Sequence, residues 1–213
     1  MEHVVARAVK GQIDGNCDEQ QVARNITMQH STRRFLLREQ TSKSHAFVDD
    51  AVGAFDSLES YRQYLQGLHA FRAPLEQDLL EIEWPGAFAA WRPQTISALL
   101  LADMDDLDVA PAPAPRRHRV DDDLASLLGT LYVMEGATLG SKVLYKRAQT
   151  LGLDADHGAR HLASQSAGID SWRSFLTLLE EAHPVELDKV VAASLSTFDA
   201  AGQAFKGRDD AAL

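Results

Sequence analysis

DDDLASLLGTLYVMEGATLGSKVLYKRAQTLGL, residues 121–153, decides the fold. Its apolar side chains recur at three- and four-residue spacing, the period of a helix rather than of a strand. Acidic residues at 121–123 suit a helix N-terminus, and Gly152 stands where a helix can stop. Two glycines, Gly136 and Gly140, lie inside this apolar run, and each costs roughly 1 kcal/mol relative to alanine in a helix interior. That cost is accepted where a backbone bends or another group comes close. Tight helix–helix packing is one such circumstance, and a flat, rigid ligand lying against the backbone is another.

Working outward, the same period recurs along most of the chain. A helix is expected from Ser31 or Thr32, either of which can cap its first turn. On it Leu37, Thr41, His45, Val48 and Val52 fall on one face, with Gly53 bending or ending it. Residues 57–80 read as a second helix, capped by Ser57 or Ser60 and kinked or broken at Pro74. Residues 81–91 read as a loop or short helix, and 92–107 as a third helix with Pro93 in its first turn. Residues 109–119, VAPAPAPRRHR, form an extended linker. Short helices are expected at 156–165 and 169–182, and a last one from Pro184 to Phe205. No alternating run bounded by turn residues reads as a strand, so the fold class is all-α. The helices on either side of the linker are too few for separate cores. One domain over 31–207 is expected, with a flexible N-terminal extension at 1–30 and a C-terminal tail at 208–213.

Composition narrows the function classes. The net charge of −10 argues against a nucleic-acid binder, despite the local run Arg116, Arg117, His118 and Arg119. A single cysteine, Cys17, excludes an intrachain disulfide and any Cys-based zinc or iron–sulfur cage. No apolar stretch is long enough to span a bilayer, and the first residues carry no signal-peptide pattern. A soluble, cytoplasmic protein without a membrane partner is expected.

Among eight histidines, His45 stands out by its company. At roughly 100° per residue, Arg38 and Thr41 share its face and Asp49 lies one turn further on. A metal-bound histidine commonly passes its other N–H to a carboxylate, which fixes the tautomer and raises its basicity. Ordinary i,i+4 polar pairing explains the same spacing, so this face alone decides nothing.

Two segments together are more specific. LREQTSKSHAFVDDAV, 37–52, resembles the proximal helix of haem oxygenases, and LYVMEGATLGSKVL, 131–144, resembles the glycine-rich distal helix of their bacterial members. The resemblance covers about residues 32–205. It implies a helical bundle with haem held between a proximal and a kinked distal helix. His45 is then the iron ligand, with Asp49 beside it. Arg38 and Tyr132 meet the haem propionates, Thr41 lies one turn before the ligand, and Gly136 and Gly140 form the distal kink. The chain departs from many animal members in having Ala137, where they carry an acidic residue, and Ser42 in place of a basic one.

The activity implied is oxygen-dependent cleavage of haem to biliverdin, carbon monoxide and iron(II). Haem is both substrate and cofactor, and electrons come from a ferredoxin, flavodoxin or reductase. Arg38, Lys43, Lys142 and Lys146 are candidates for docking that donor. Three competing readings make different predictions. A haem storage, transfer or sensing protein would bind without turnover, a helical enzyme for another small molecule would ignore loss of His45, and a purely structural bundle would not bind haem.

Overall fold

The computed structural model describes the backbone of residues 14–54, 56–89, 91–112 and 119–206, and side chains from residue 33 onward within those ranges. Eight α-helices occur among them: α1 (Asp14–Val52), α2 (Leu58–Glu81), α3 (Ser97–Asp106), α4 (Leu124–Gly136), α5 (Thr138–Thr150), α6 (Arg160–Ala167), α7 (Ile169–Glu181) and α8 (Leu187–Lys206). A 3-10 turn at Gly86–Phe88 precedes α3. No strand occurs among the described residues; the pairing of Asp154 with Gly158 is a single bridge. The all-α expectation holds.

α4 is the central element, and its sequence explains why. Ala125, the run from Leu127 to Leu131, and Val133 to Glu135 are all buried, so this helix is covered on every side. Asp123 starts it, accepting from the Ala125 and Ser126 amides. α8 crosses it closely at Gly129, where an added Cβ would stand 2.4 Å from the Val190 carbonyl oxygen and 2.7 Å from the Ala193 Cβ. Ser194 and Thr197 of α8 fill the same seam, bonding to the Gly129 carbonyl and the Thr130 hydroxyl. α2 supplies Tyr61, Leu65, Leu75 and Leu79 to the core, and α7 supplies Phe175 and Leu179.

Several boundaries differ from the sequence expectation. α1 begins at Asp14 rather than at Ser31 or Thr32, so residues 14–30 of the expected extension are helical. That stretch lacks a sustained apolar stripe, the signal used to find helices. Yet it contains no proline, and a helix nucleated further on propagates at little cost. α2 runs through Pro74 without a break, with buried Leu75 and Leu79 continuing its core face beyond it. α3 begins at Ser97, not at Pro93. Its N-terminus is set from outside, because the Glu76 carboxylate of α2 accepts from the Ile96 and Ser97 amides and the Ser97 hydroxyl. The 121–153 run is two helices meeting at Ala137. α6 begins at Arg160 rather than at residue 156, and α8 at Leu187 rather than at Pro184. The local signals hold elsewhere. Ser57 and Ser60 form a capping box on α2, and Gly53 and Gly152 close α1 and α5 at positive φ. Residues 113–118 of the linker, with Arg116, Arg117 and His118, lie outside the described residues, as do 1–13 and the tail from 207.

Candidate haem site

The site is built on α1 and on the junction of α4 with α5. α1 is fixed to α7 by Arg33, whose guanidinium donates to the Leu179 and Ala182 carbonyls at 2.7 Å each, a cation at a helix C-terminus. Of the five residues expected on one face of α1, Leu37 and Thr41 are buried, and Val48 and Val52 half-buried. His45, in the middle of that stripe, keeps 62% of its side chain exposed. The core therefore opens at the histidine. Its Nδ1 lies 2.9 Å from the Asp49 carboxylate, and its ring meets buried Phe198 of α8 edge-on at 5.9 Å between centroids. Two contacts thus set the ring's orientation and engage Nδ1.

The residues expected at the propionates also gather. The Tyr132 hydroxyl and the Thr41 hydroxyl share a hydrogen bond, and the Arg34 and Arg38 charges lie near the same phenol. Burial raises the Tyr132 pKa, and the Thr41 bond and the two guanidinium groups oppose that rise. Thr41 in turn donates to the Leu37 carbonyl. Tyr132 rests against Trp172 of α7, 5.9 Å between centroids.

Gly136 and Gly140 are at the junction. α4 ends at Gly136, Ala137 bridges, and α5 begins at Thr138. A Cβ on Gly140 would meet nothing within 4 Å, and one on Gly136 would reach only Trp172, at 3.9 Å. Leu139 and Val143 on the same short helix are 53% and 54% exposed. Helix packing is therefore not what these glycines serve. That demand falls on Gly129, about two helix turns before Gly136, where packing leaves no room for a side chain.

Sequence reasoning missed Arg34, Phe198 and Trp172, and missed a buried polar cluster behind the junction. Arg34 had a signal, since it lies one turn before Arg38. Glu135 had one too, a lone carboxylate in an apolar run. Phe198 and Trp172 come from distant helices, and only the fold brings them to α1 and α4.

The described residues thus form an all-helical bundle with an exposed histidine on α1 and an open glycine junction between α4 and α5. The chain is 31% identical over 150 residues to heme oxygenase PigA of Pseudomonas aeruginosa, an alignment spanning 66% of this chain and 73% of that protein. It therefore belongs to the haem oxygenase family. The fold agrees with a solved heme oxygenase from Neisseria meningitidis, studied in NO- and CO-bound forms. The TM-score is 0.59 at 24% identity, over 84% of this chain and 89% of the other. No protein-family model matches the chain.

Proposed function

We propose that the protein binds haem as substrate between α1 and the α4–α5 junction and cleaves its ring with oxygen and external electrons. The products are biliverdin, carbon monoxide and iron(II). The observation that carries the site is the contrast among glycines: Gly140 faces open space while Gly129 is packed shut. The donor set fits the ligand. Among the described residues no three His, Cys, Asp or Glu side chains gather to hold a bare ion, so iron at His45 needs a macrocycle to complete its coordination.

Haem, when bound, would supply the redox chemistry. The chain's residues bind and orient. His45 would hold the iron through Nε2, with Asp49 fixing the imidazole tautomer through Nδ1. Arg38 and Tyr132, with Arg34, present a guanidinium, a phenol and a second guanidinium to the propionate edge. Gly136 and Gly140 let the distal backbone approach the ring face. Ala137 offers no acidic side chain there, so the proton needed distally comes through solvent. Exposed Arg38, Lys43, Lys142 and Lys146 suit an acidic donor such as a ferredoxin, flavodoxin or reductase. No helix among the described residues is long and apolar enough to cross a membrane, and we place the protein in the cytoplasm.

The test is turnover. Haem-loaded protein supplied with a reductase, ferredoxin and oxygen should lose its Soret band as a biliverdin spectrum grows. A stable Soret band through repeated reduction would leave only haem binding and overturn the reading.

A further inference from the structure

Behind the distal junction lies a polar cluster that the site described above does not use. Glu135, the residue before Gly136, is 2% exposed. One carboxylate oxygen accepts from the Gln94 amide at 3.1 Å, and the other accepts from the Ser171 hydroxyl of α7 at 2.9 Å. Gln94 is braced in its turn. Its carbonyl accepts from the Arg72 guanidinium at 2.7 Å, and its side-chain amide donates to Ser164 of α6 at 2.7 Å. Arg72, also buried, donates to the Met134 carbonyl at the end of α4 and is paired with Glu76 at 2.8 Å. A cation there meets the negative end of the helix dipole.

The junction needs such support. A helix interrupted at Ala137 loses the ladder that would hold its two halves in line, and two glycines nearby lower the resistance to bending. Apolar packing does not replace the ladder on the open side, where Gly140 touches nothing. The restraint comes from the closed side, through Glu135. Both its oxygens are engaged, and each leads to a different element, α7 on one side and the segment before α3 on the other.

We infer that Glu135 is a positioning residue for ring opening: tethered to Gln94 and Ser171, it fixes where the Gly136–Gly140 backbone stands over the haem face, and so which meso carbon is attacked. This rests on the haem-cleaving reading above. With no side chain on Gly136 or Gly140, the backbone itself would bound that face, so a small displacement would change the space above each ring edge unequally. Geometry rather than charge is the requirement. In Glu135→Gln the amide oxygen can still accept from the Gln94 amide, and the Ser171 hydroxyl can turn to accept from the new NH2 group.

The experiment compares wild type, Glu135→Ala, Glu135→Gln and Ser171→Ala by amide hydrogen exchange of the apoprotein and by the biliverdin isomers formed on turnover. In Glu135→Ala, loss of the tethering bonds should speed exchange at residues 136–141 about tenfold, with α2 and α8 unchanged, and should broaden the isomer distribution. Glu135→Gln should match wild type in both, and Ser171→Ala, losing one bond, should fall between. Wild-type exchange or isomers in Glu135→Ala overturns the inference. So does exchange that rises evenly across all helices, since Glu135 then merely supports the fold, and so does equal damage from Glu135→Gln. Wild-type protein that makes no biliverdin instead defeats the underlying haem reading, while the exchange data still report on the junction.

Discussion

His45 illustrates how little a residue type says and how much its surroundings add. The chain has eight histidines, yet His45 combines high exposure, a carboxylate on Nδ1 and a ring wall from α8. On the proposed reading, loss of the ring should remove the iron ligand and only an edge contact with Phe198. His45→Ala is expected to fold normally, lose the wild-type Soret spectrum, and regain a ligated spectrum when imidazole is added. Asp49→Ala keeps the ligand but frees its tautomer, and haem affinity or turnover should fall about tenfold, within the range for partners of metal-bound histidines. On the proposed binding mode, Arg38→Ala would remove a charge-assisted contact to a propionate worth about 1.5–3 kcal/mol. Titration of haem into that variant should show weaker binding without a change in the iron's spectrum. Tyr132→Phe tests the neighbouring hydroxyl in the same way, and its loss also frees the Thr41 hydroxyl bond.

Elements show where sequence reasoning works and where it stops. α4 is legible because its interior is apolar and its start is acidic, and the capping box of α2 is legible because it is local. The start of α3 is not, because the group that sets it, Glu76, belongs to α2. Local rules for proline and caps cannot anticipate a cap supplied from twenty residues away. The start of α1 was missed for the opposite reason, since no amphipathic stripe marks residues 14–30. The glycines of α4 and α5 divide along the same line. Spacing drew attention to Gly136 and Gly140, whereas Gly129, which no motif marks, is the one the packing requires. Their variants should differ in kind. Gly129→Ala forces a Cβ against the Val190 carbonyl, and overpacking of this sort costs about 1–3 kcal/mol. Thermal denaturation should show a lowered Tm, with turnover per folded molecule retained. Gly140→Leu has space around its Cβ and should hold its Tm, retain some haem binding, and lose biliverdin formation.

At the scale of the molecule, His45 stands exposed on α1 while buried polar groups tie helices together within the bundle. Asp103 of α3 bonds to His161 of α6, 2.7 Å from carboxylate to Nδ1, with both side chains fully buried. The Tyr64 hydroxyl lies 3.2 Å from His161 Nε2. Burial lowers the His161 pKa below its ordinary 6.5, against the pull of Asp103. Burial would raise Asp103, but bonds from the His161 ring and from the His161 and Arg160 amides hold its carboxyl below the usual carboxylate range. Each shift has a stability consequence of the same sign but in a different pH window. The unfolded chain protonates His161 near pH 6.5, where the folded chain resists, so stability falls as pH drops below that value until the folded histidine also titrates. Asp103, with a depressed folded pKa, contributes stability above the ordinary aspartate range and loses it as pH falls through its folded value. Urea denaturation across pH 8 to 3 should therefore show two successive losses. His161→Gln has no proton to gain in the first window, so its stability, though lower at pH 7.5, should stay flatter between pH 6.5 and 5. An unchanged slope there would assign the first loss to other histidines. Neither His161 nor Asp103 is among the residues placed at the proposed haem site, so His161→Gln should leave haem affinity at pH 7.5 near that of wild type.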